Sequence, residues 1–166
     1  FNNKNEEAKK IIIESREKYN SNILLKQTEN FILNNQSNKI KNFFNCKNPN
    51  DSISEFFYVI ANLYSSEEDY KKSNFYLKIS LFLNNKFLSN KALLAENFYY
   101  QKKYELSKNI YNSIKSIGSV YSWYASKSIA RILLDTEGRE RSISSFENEI
   151  NLLSNPNFET YYEIAN

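Results

Sequence analysis

The sequence predicts an all-α protein built as a solenoid of antiparallel helix hairpins, and three observations carry the prediction. The chain has 166 residues, long enough for one core of domain size, and its 41% hydrophobic and 16% aromatic content can fill that core. It has only two Gly and two Pro, too few for the tight turns of a hairpin-dense all-β fold. Small and aromatic residues also recur in a fixed order. A 34-residue step carries Ala61 to Ala95, Tyr64 to Phe98, Tyr70 to Tyr104, Ser73 to Ser107 and Leu77 to Tyr111. A further step of 35 carries Ala95 to Ala130, Phe98 to Leu133, Ser107 to Ser142 and Tyr111 to Phe146, and another reaches Ala165. Repeats of this length mark stacked units, none of which buries its apolar face alone.

Residues 1–50 hold apolar clusters at Ile11 to Ile13, Ile23 to Leu25, Phe31 to Leu33 and Ile40 to Phe44, separated by polar stretches. They read as two or three helices without the repeat skeleton, a divergent repeat or cap. In NCKNPND, Pro49 and Asp51 precede an apolar run, which reads as a loop and helix start. From residue 51 to 166 the pattern gives about three hairpins, at 52–84, 87–116 and 120–153, plus the first helix of a fourth at 158–165. Within the first, Phe57, Ile60, Ala61 and Tyr64 have helical spacing, as do Tyr70, Ser73, Leu77 and Ser80 after the polar break at 65–69. Ala61 and Ser73 are expected at the crossing of the two helices, where small side chains let the backbones approach.

The composition bears on function mainly by exclusion. There is no histidine, so the commonest general base and metal ligand is missing. Gly118 and Gly138 alone cannot build a glycine-rich phosphate loop. The single cysteine, Cys46, forms no internal disulfide and no multi-cysteine metal site, and is expected as a partly buried thiol beside Phe43 and Phe44. The acidic pairs Glu67/Glu68 and Glu147/Glu149 are expected in a turn and on a solvent-facing helix surface. No catalytic residue, cofactor or metal is therefore expected. A net charge of +3 is too small to imply a phosphate-binding surface. No segment approaches the roughly 18 consecutive apolar residues of a membrane span. The absence of Met, even at position 1, points to a piece of a longer protein.

Ala61 and Tyr64 in one helix, Tyr70 opening the next, then Ser73 and Leu77, all on a 34-residue period, resemble the tetratricopeptide repeat (TPR), over about residues 53–165. The third unit departs from the pattern, with Arg139 after Gly138 where an aromatic is expected, and Asn85 stands where a proline often closes a repeat. The likeness is greatest to bacterial repeat proteins. It implies a right-handed superhelix whose first helices line a concave groove, and a noncatalytic scaffold that binds a peptide or protein segment there.

Laid over this sequence, the groove would take Glu55, Tyr58, Asn62 and Ser65 from the first unit, Ala92, Glu96, Tyr99 and Tyr100 from the second, and Tyr124, Lys127, Arg131 and Asp135 from the third. Tyrosines suit peptide contacts, and Lys127 with Arg131 at i, i+4 could hold a carboxylate, either a partner's or that of Glu96. The family's clamp for peptide C-termini is matched at Asn62 only. Tyr58, Leu93, Tyr124 and Ser128 stand at its other positions, so that mode is not expected. Two alternatives stand beside this reading: a structural repeat segment of a larger enzyme or envelope-assembly protein, and an RNA-binding helical-repeat module, against which the low net charge and the acidic groove residues argue. Cytoplasm and periplasm both stay open.

Overall fold

The computed structural model describes residues 5–19 and 22–151, and among them every regular element is helical. The elements are α1 (Asn5–Lys18), α2 (Ile23–Leu33), a 3-10 helix (Ser37–Asn42), α3 (Pro49–Ser66), α4 (Tyr70–Leu83), α5 (Leu88–Tyr100), α6 (Tyr104–Lys115), α7 (Ser119–Glu137) and α8 (Arg139–Asn151). The expected helix at 158–165 lies outside the described residues.

Local chemistry sets the ends of these helices. The Asn48 side chain accepts from Asn50 N–H and Pro49 follows as the first helical residue of α3, where a missing N–H costs nothing. Asp69 caps α4 by accepting from Lys72 N–H at 3.1 Å. The helix stops repeat as well. Glu68 (φ 60°) and Lys102 (φ 57°), one 34-residue period apart, adopt the left-handed conformation. The next N–H then turns back to the helix, Asp69 to Tyr64 O at 2.9 Å and Lys103 to Phe98 O at 2.8 Å. In α7 the stop is Gly138 (φ 92°), whose N–H donates to Leu133 O. The stops of α3 and α5 are one kind written twice, with the left-handed residue supplied by Glu and Lys, whereas at α7 Gly138 is itself the donor and its backbone is extended in ψ (176°).

The helices pack in sequential pairs, α3 with α4, α5 with α6 and α7 with α8, and the pairs join through α4 on α5 and α6 on α7. The small residues of the repeat occupy the tightest points. Ala61, Ala95 and Ala130 are completely or almost completely buried, as are Ser73 and Ser107, and Ser142 nearly so. Serine rather than alanine has a reason in two of the three: Ser107 Oγ donates to Ala95 O and Ser142 Oγ to Ala130 O, each at 2.8 Å. The Ala95 and Ala130 carbonyls thus gain a side-chain donor from the neighbouring helix. Ser73 instead accepts from Asn97 Nδ2 at 2.7 Å.

A buried polar seam, unforeseen from the sequence, links the first pair to α5. Ser54 and Ser80 exchange bonds through hydroxyls and carbonyls, Ser54 Oγ to Ser80 O at 2.9 Å and Ser80 Oγ to Ser54 O at 2.6 Å. Asn90 Nδ2 donates to Ser80 Oγ. Asn97, one heptad further along α5, also donates to Asn74 Oδ1 and accepts from Ser65 Oγ. Burial of these hydroxyls and amides is offset by the bonds they make to one another, although Asn90 Oδ1 accepts none.

The N-terminal segment joins the fold through α7. Helix α2 packs on α7, and Ile23, Leu24 and Phe43 lie against the core formed by Leu88, Ala95, Tyr111, Ile114, Tyr121, Ala125 and Ile132. Gln27, 1% exposed, places its Oε1 at the start of α7, where it accepts from Val120 N–H at 3.1 Å and Tyr121 N–H at 3.4 Å. A Cβ on Gly118 would overlap the Gln27 amide, so this glycine is a requirement of close approach. We expect Gly118→Ala to destabilise the protein by about 2 kcal/mol, because the buried cap must move or be lost, with the loss read from urea unfolding. An unchanged midpoint would mean that Gln27 does not cap α7.

Two expectations are corrected. Cys46 is exposed, because the rings of Phe43 and Phe44 turn inward against Phe31 and Phe87 while Cys46 sits in the turn beyond them. Glu149 does not face solvent with Glu147: it accepts from Lys115 Nζ and from Ser126 Oγ at 2.9 Å, tying α8 to α6 and α7. Burial opposes its ionisation, but those donors outweigh it and hold the carboxyl below the ordinary glutamate range.

Candidate functional site

Helices α5 and α7 bring together five of the twelve residues read as groove-lining: Glu96, Tyr99, Tyr124, Arg131 and Asp135. Glu96 is at the centre. Its Oε1 accepts from Tyr111 OH at 2.8 Å and from Tyr124 OH at 3.0 Å, and its Oε2 accepts from Arg131 Nη2 at 2.7 Å. The Arg131 guanidinium lies 3.9 Å from the centroid of the Tyr99 ring, within cation–π range. Tyr99 OH donates in turn to Asp135 Oδ2 at 2.7 Å. The run Asp135, Tyr99, Arg131, Glu96, Tyr124 and Tyr111 is thus one continuous network. The carboxylate held by Arg131 is the protein's own.

The electrostatics follow from burial and from neighbouring carboxylates. Burial first, then the charge of Glu96, keeps the Tyr111 phenol well above its ordinary range. Tyr124 is raised by burial, then by Tyr111 and Glu96. Tyr99 is pushed up to about 12 by burial and by its bond to Asp135. All three phenols therefore stay protonated donors at neutral pH, which suits them to structural bonding and leaves none poised as a base. Arg131 is held above its usual value: burial opposes the charge, but Glu96 outweighs it.

Tyr100, Tyr58, Asn62 and Lys127 lie elsewhere. Tyr100 is 54% exposed, stacked on Tyr70 at 5.5 Å and edge-on to Tyr99. Tyr58 packs edge-on against Phe87, and burial, partly offset by a bond with Ser89, raises its phenol. Asn62 is exposed on α3 and Lys127 is half-buried on α7. The sequence reading used Tyr111 only as repeat skeleton and missed it as a partner of Glu96; its position 15 residues after Glu96 has no meaning within one helix. Among the described residues no group of three His, Cys, Asp or Glu converges to hold a metal ion, and no helix is long and apolar enough to cross a membrane.

Fold and site together define an all-helical chain of repeat-like helix pairs bearing a tyrosine, arginine and glutamate cluster. No protein-family model matches the chain, and neither a curated protein nor a solved structure is significantly similar to it.

Proposed function

We propose that helices α3 to α8 are three antiparallel hairpins of tetratricopeptide type, stacked as a right-handed solenoid, and that the chain is a noncatalytic scaffold that binds a peptide or protein segment along its first helices. The pairing of the start of α3 with the end of α4 through Ser54 and Ser80 supports the hairpin reading. So does the recurrence of a serine-to-alanine contact at the same spacing in the next two pairs.

The observation that carries the binding role is the aromatic shelf at Tyr99 and Tyr100. Both rings are held in place, by Arg131 and Asp135 on one side and by Tyr70 on the other, while Tyr100 keeps half its surface open. A ring fixed before binding contributes contact area at little entropic cost. Peptide phage display against the folded chain tests this. Enriched peptides should bind the native chain and lose about tenfold or more in affinity to a Tyr100→Ser/Asn62→Ala variant, both changes being at exposed positions. No enrichment, or equal binding to the variant, would rule the surface out, and capture of RNA in place of peptide would favour the nucleic-acid alternative.

A structural role within a larger protein is the second reading. What favours it is the internal bond at the centre of the network: Glu96 accepts from Arg131 Nη2, as an element that fastens α5 to α7 would.

A further inference from the structure

The first helix pair leaves a broad apolar face uncovered. On α3, Ser52, Ile53, Phe56, Val59, Leu63 and Ser66 are exposed and uncharged, and the charged Glu55 among them is exposed at the border toward Phe43, Phe44 and Phe87. Ile53, Phe56, Val59 and Leu63 are all exposed there, Leu63 by 64% and Phe56 by 61%. Across the seam, α4 adds Phe75 at 60% and Phe82 at 88%. The two helices are joined into one surface by rings: Phe56 sits against Phe57, Phe57 stacks on Tyr76 at 6.1 Å, and Tyr76 meets Phe75 at 5.3 Å and Tyr64 at 5.5 Å.

We infer that this α3/α4 face is a self-association surface, covered by the same face of a second copy of the chain. The area is of the right size. With a phenylalanine worth roughly 150–250 Å², the six exposed side chains hold on the order of 600 Å² of open surface. The partly covered Ile60, Tyr76 and Ile79 between them extend it toward the roughly 800 Å² that each side contributes to a stable interface. That is at the upper limit of what an isolated soluble chain leaves open in one patch.

The charge pattern selects a second copy as the occupant. A two-fold contact sets a surface against itself, so any net charge on it would be repelled by its own image. Lys72 reaches over these rings, its ammonium lying against Tyr64 and neutralised by Asp69 at 2.8 Å. The other lysines of α4, Lys71 and Lys78, are exposed within one turn of Phe75 and Phe82 and so form a charged border to the face, as an interface rim does. The fold also repeats the contact internally, since α4 lies on α5 and α6 on α7. The N-terminal helix that precedes this pair in the chain is engaged with α7 instead.

Sedimentation equilibrium on the whole chain, under reducing conditions because Cys46 is exposed, decides the matter. The native chain is expected to be dimeric in the micromolar range. Phe56→Glu and Leu63→Glu, each at an exposed position, should raise the dimer dissociation constant about 30-fold or more with unchanged circular dichroism, the variants' melting temperature falling only by what loss of the dimer accounts for. Tyr100→Glu, on another surface, should leave it unchanged. A native chain that is monomeric up to several hundred micromolar overturns the inference and points to a different protein as occupant. Dimerisation that survives both α3 substitutions overturns it too. Neither result bears on the peptide-binding surface, which is probed with other residues and another readout.

Discussion

Ala95→Leu is expected to lower the unfolding free energy by about 3 kcal/mol, the upper part of the range for overpacking a tight core. Ala95 has no exposed surface, and its carbonyl accepts from Ser107 at 2.8 Å. Three further carbon atoms at that point have no space without forcing α5 and α6 apart. Separation would break the Ser107 bond and disturb Tyr111 and Ile114, which share the same core. In a chain of this size such a loss lowers the melting temperature by roughly 6–12 °C. Thermal and urea unfolding should both report it, with Asn62→Leu, on an exposed stretch of α3, as the control that stays within about 0.5 kcal/mol. If Ala95→Leu behaved like the control, the two helices would not cross closely at that residue.

Glu96→Ala is expected to cost about 3 kcal/mol for a different reason. Truncation leaves three donors on two other helices, Tyr111 OH, Tyr124 OH and the Arg131 guanidinium, without their acceptor. Two of the three are phenols that burial keeps protonated, so their lost bonds account for most of the cost. Arg131 remains 38% exposed, and water screens the ionic part of its contribution. Glu96→Gln should be milder, about 1–2 kcal/mol, since one carbonyl oxygen can still accept. A double-mutant cycle with Arg131→Ala measures the coupling. Additive effects would show that Glu96 and Arg131 do not stabilise each other across α5 and α7.

These two positions differ in how they announce themselves. Ala95 is visible in the sequence because it recurs one period after Ala61, inside a helical pattern that nothing else explains. Glu96 is visible only as one polar residue on a helix surface. That Arg131 could reach it was one option among several, and the roles of Tyr111 and Tyr124 as its donors had no local signature. Glu149 shows the limit from the other side. Two residues from Glu147 it lies on a different side of the helix, but that Lys115 and Ser126 meet it there depends on two helices that sequence periodicity does not position. Asn90 and Asn97 are similar, since a buried asparagine looks like a surface one until its partners are known.

By itself the sequence determined the all-helical class, the helix starts at Pro49 and Tyr70 and the small residues of the helix crossings. Each depends on neighbours within a turn or two, through capping, left-handed stops and 3.6-residue periodicity. Tertiary structure alone decided that Gln27 caps α7, that Glu96 joins three helices, and that the outer side of α3 and α4 stays open. Those outcomes depend on how the helix pairs are set against one another, and a contact across 93 residues, such as Gln27 with Val120, is fixed by that arrangement and has no counterpart in local spacing.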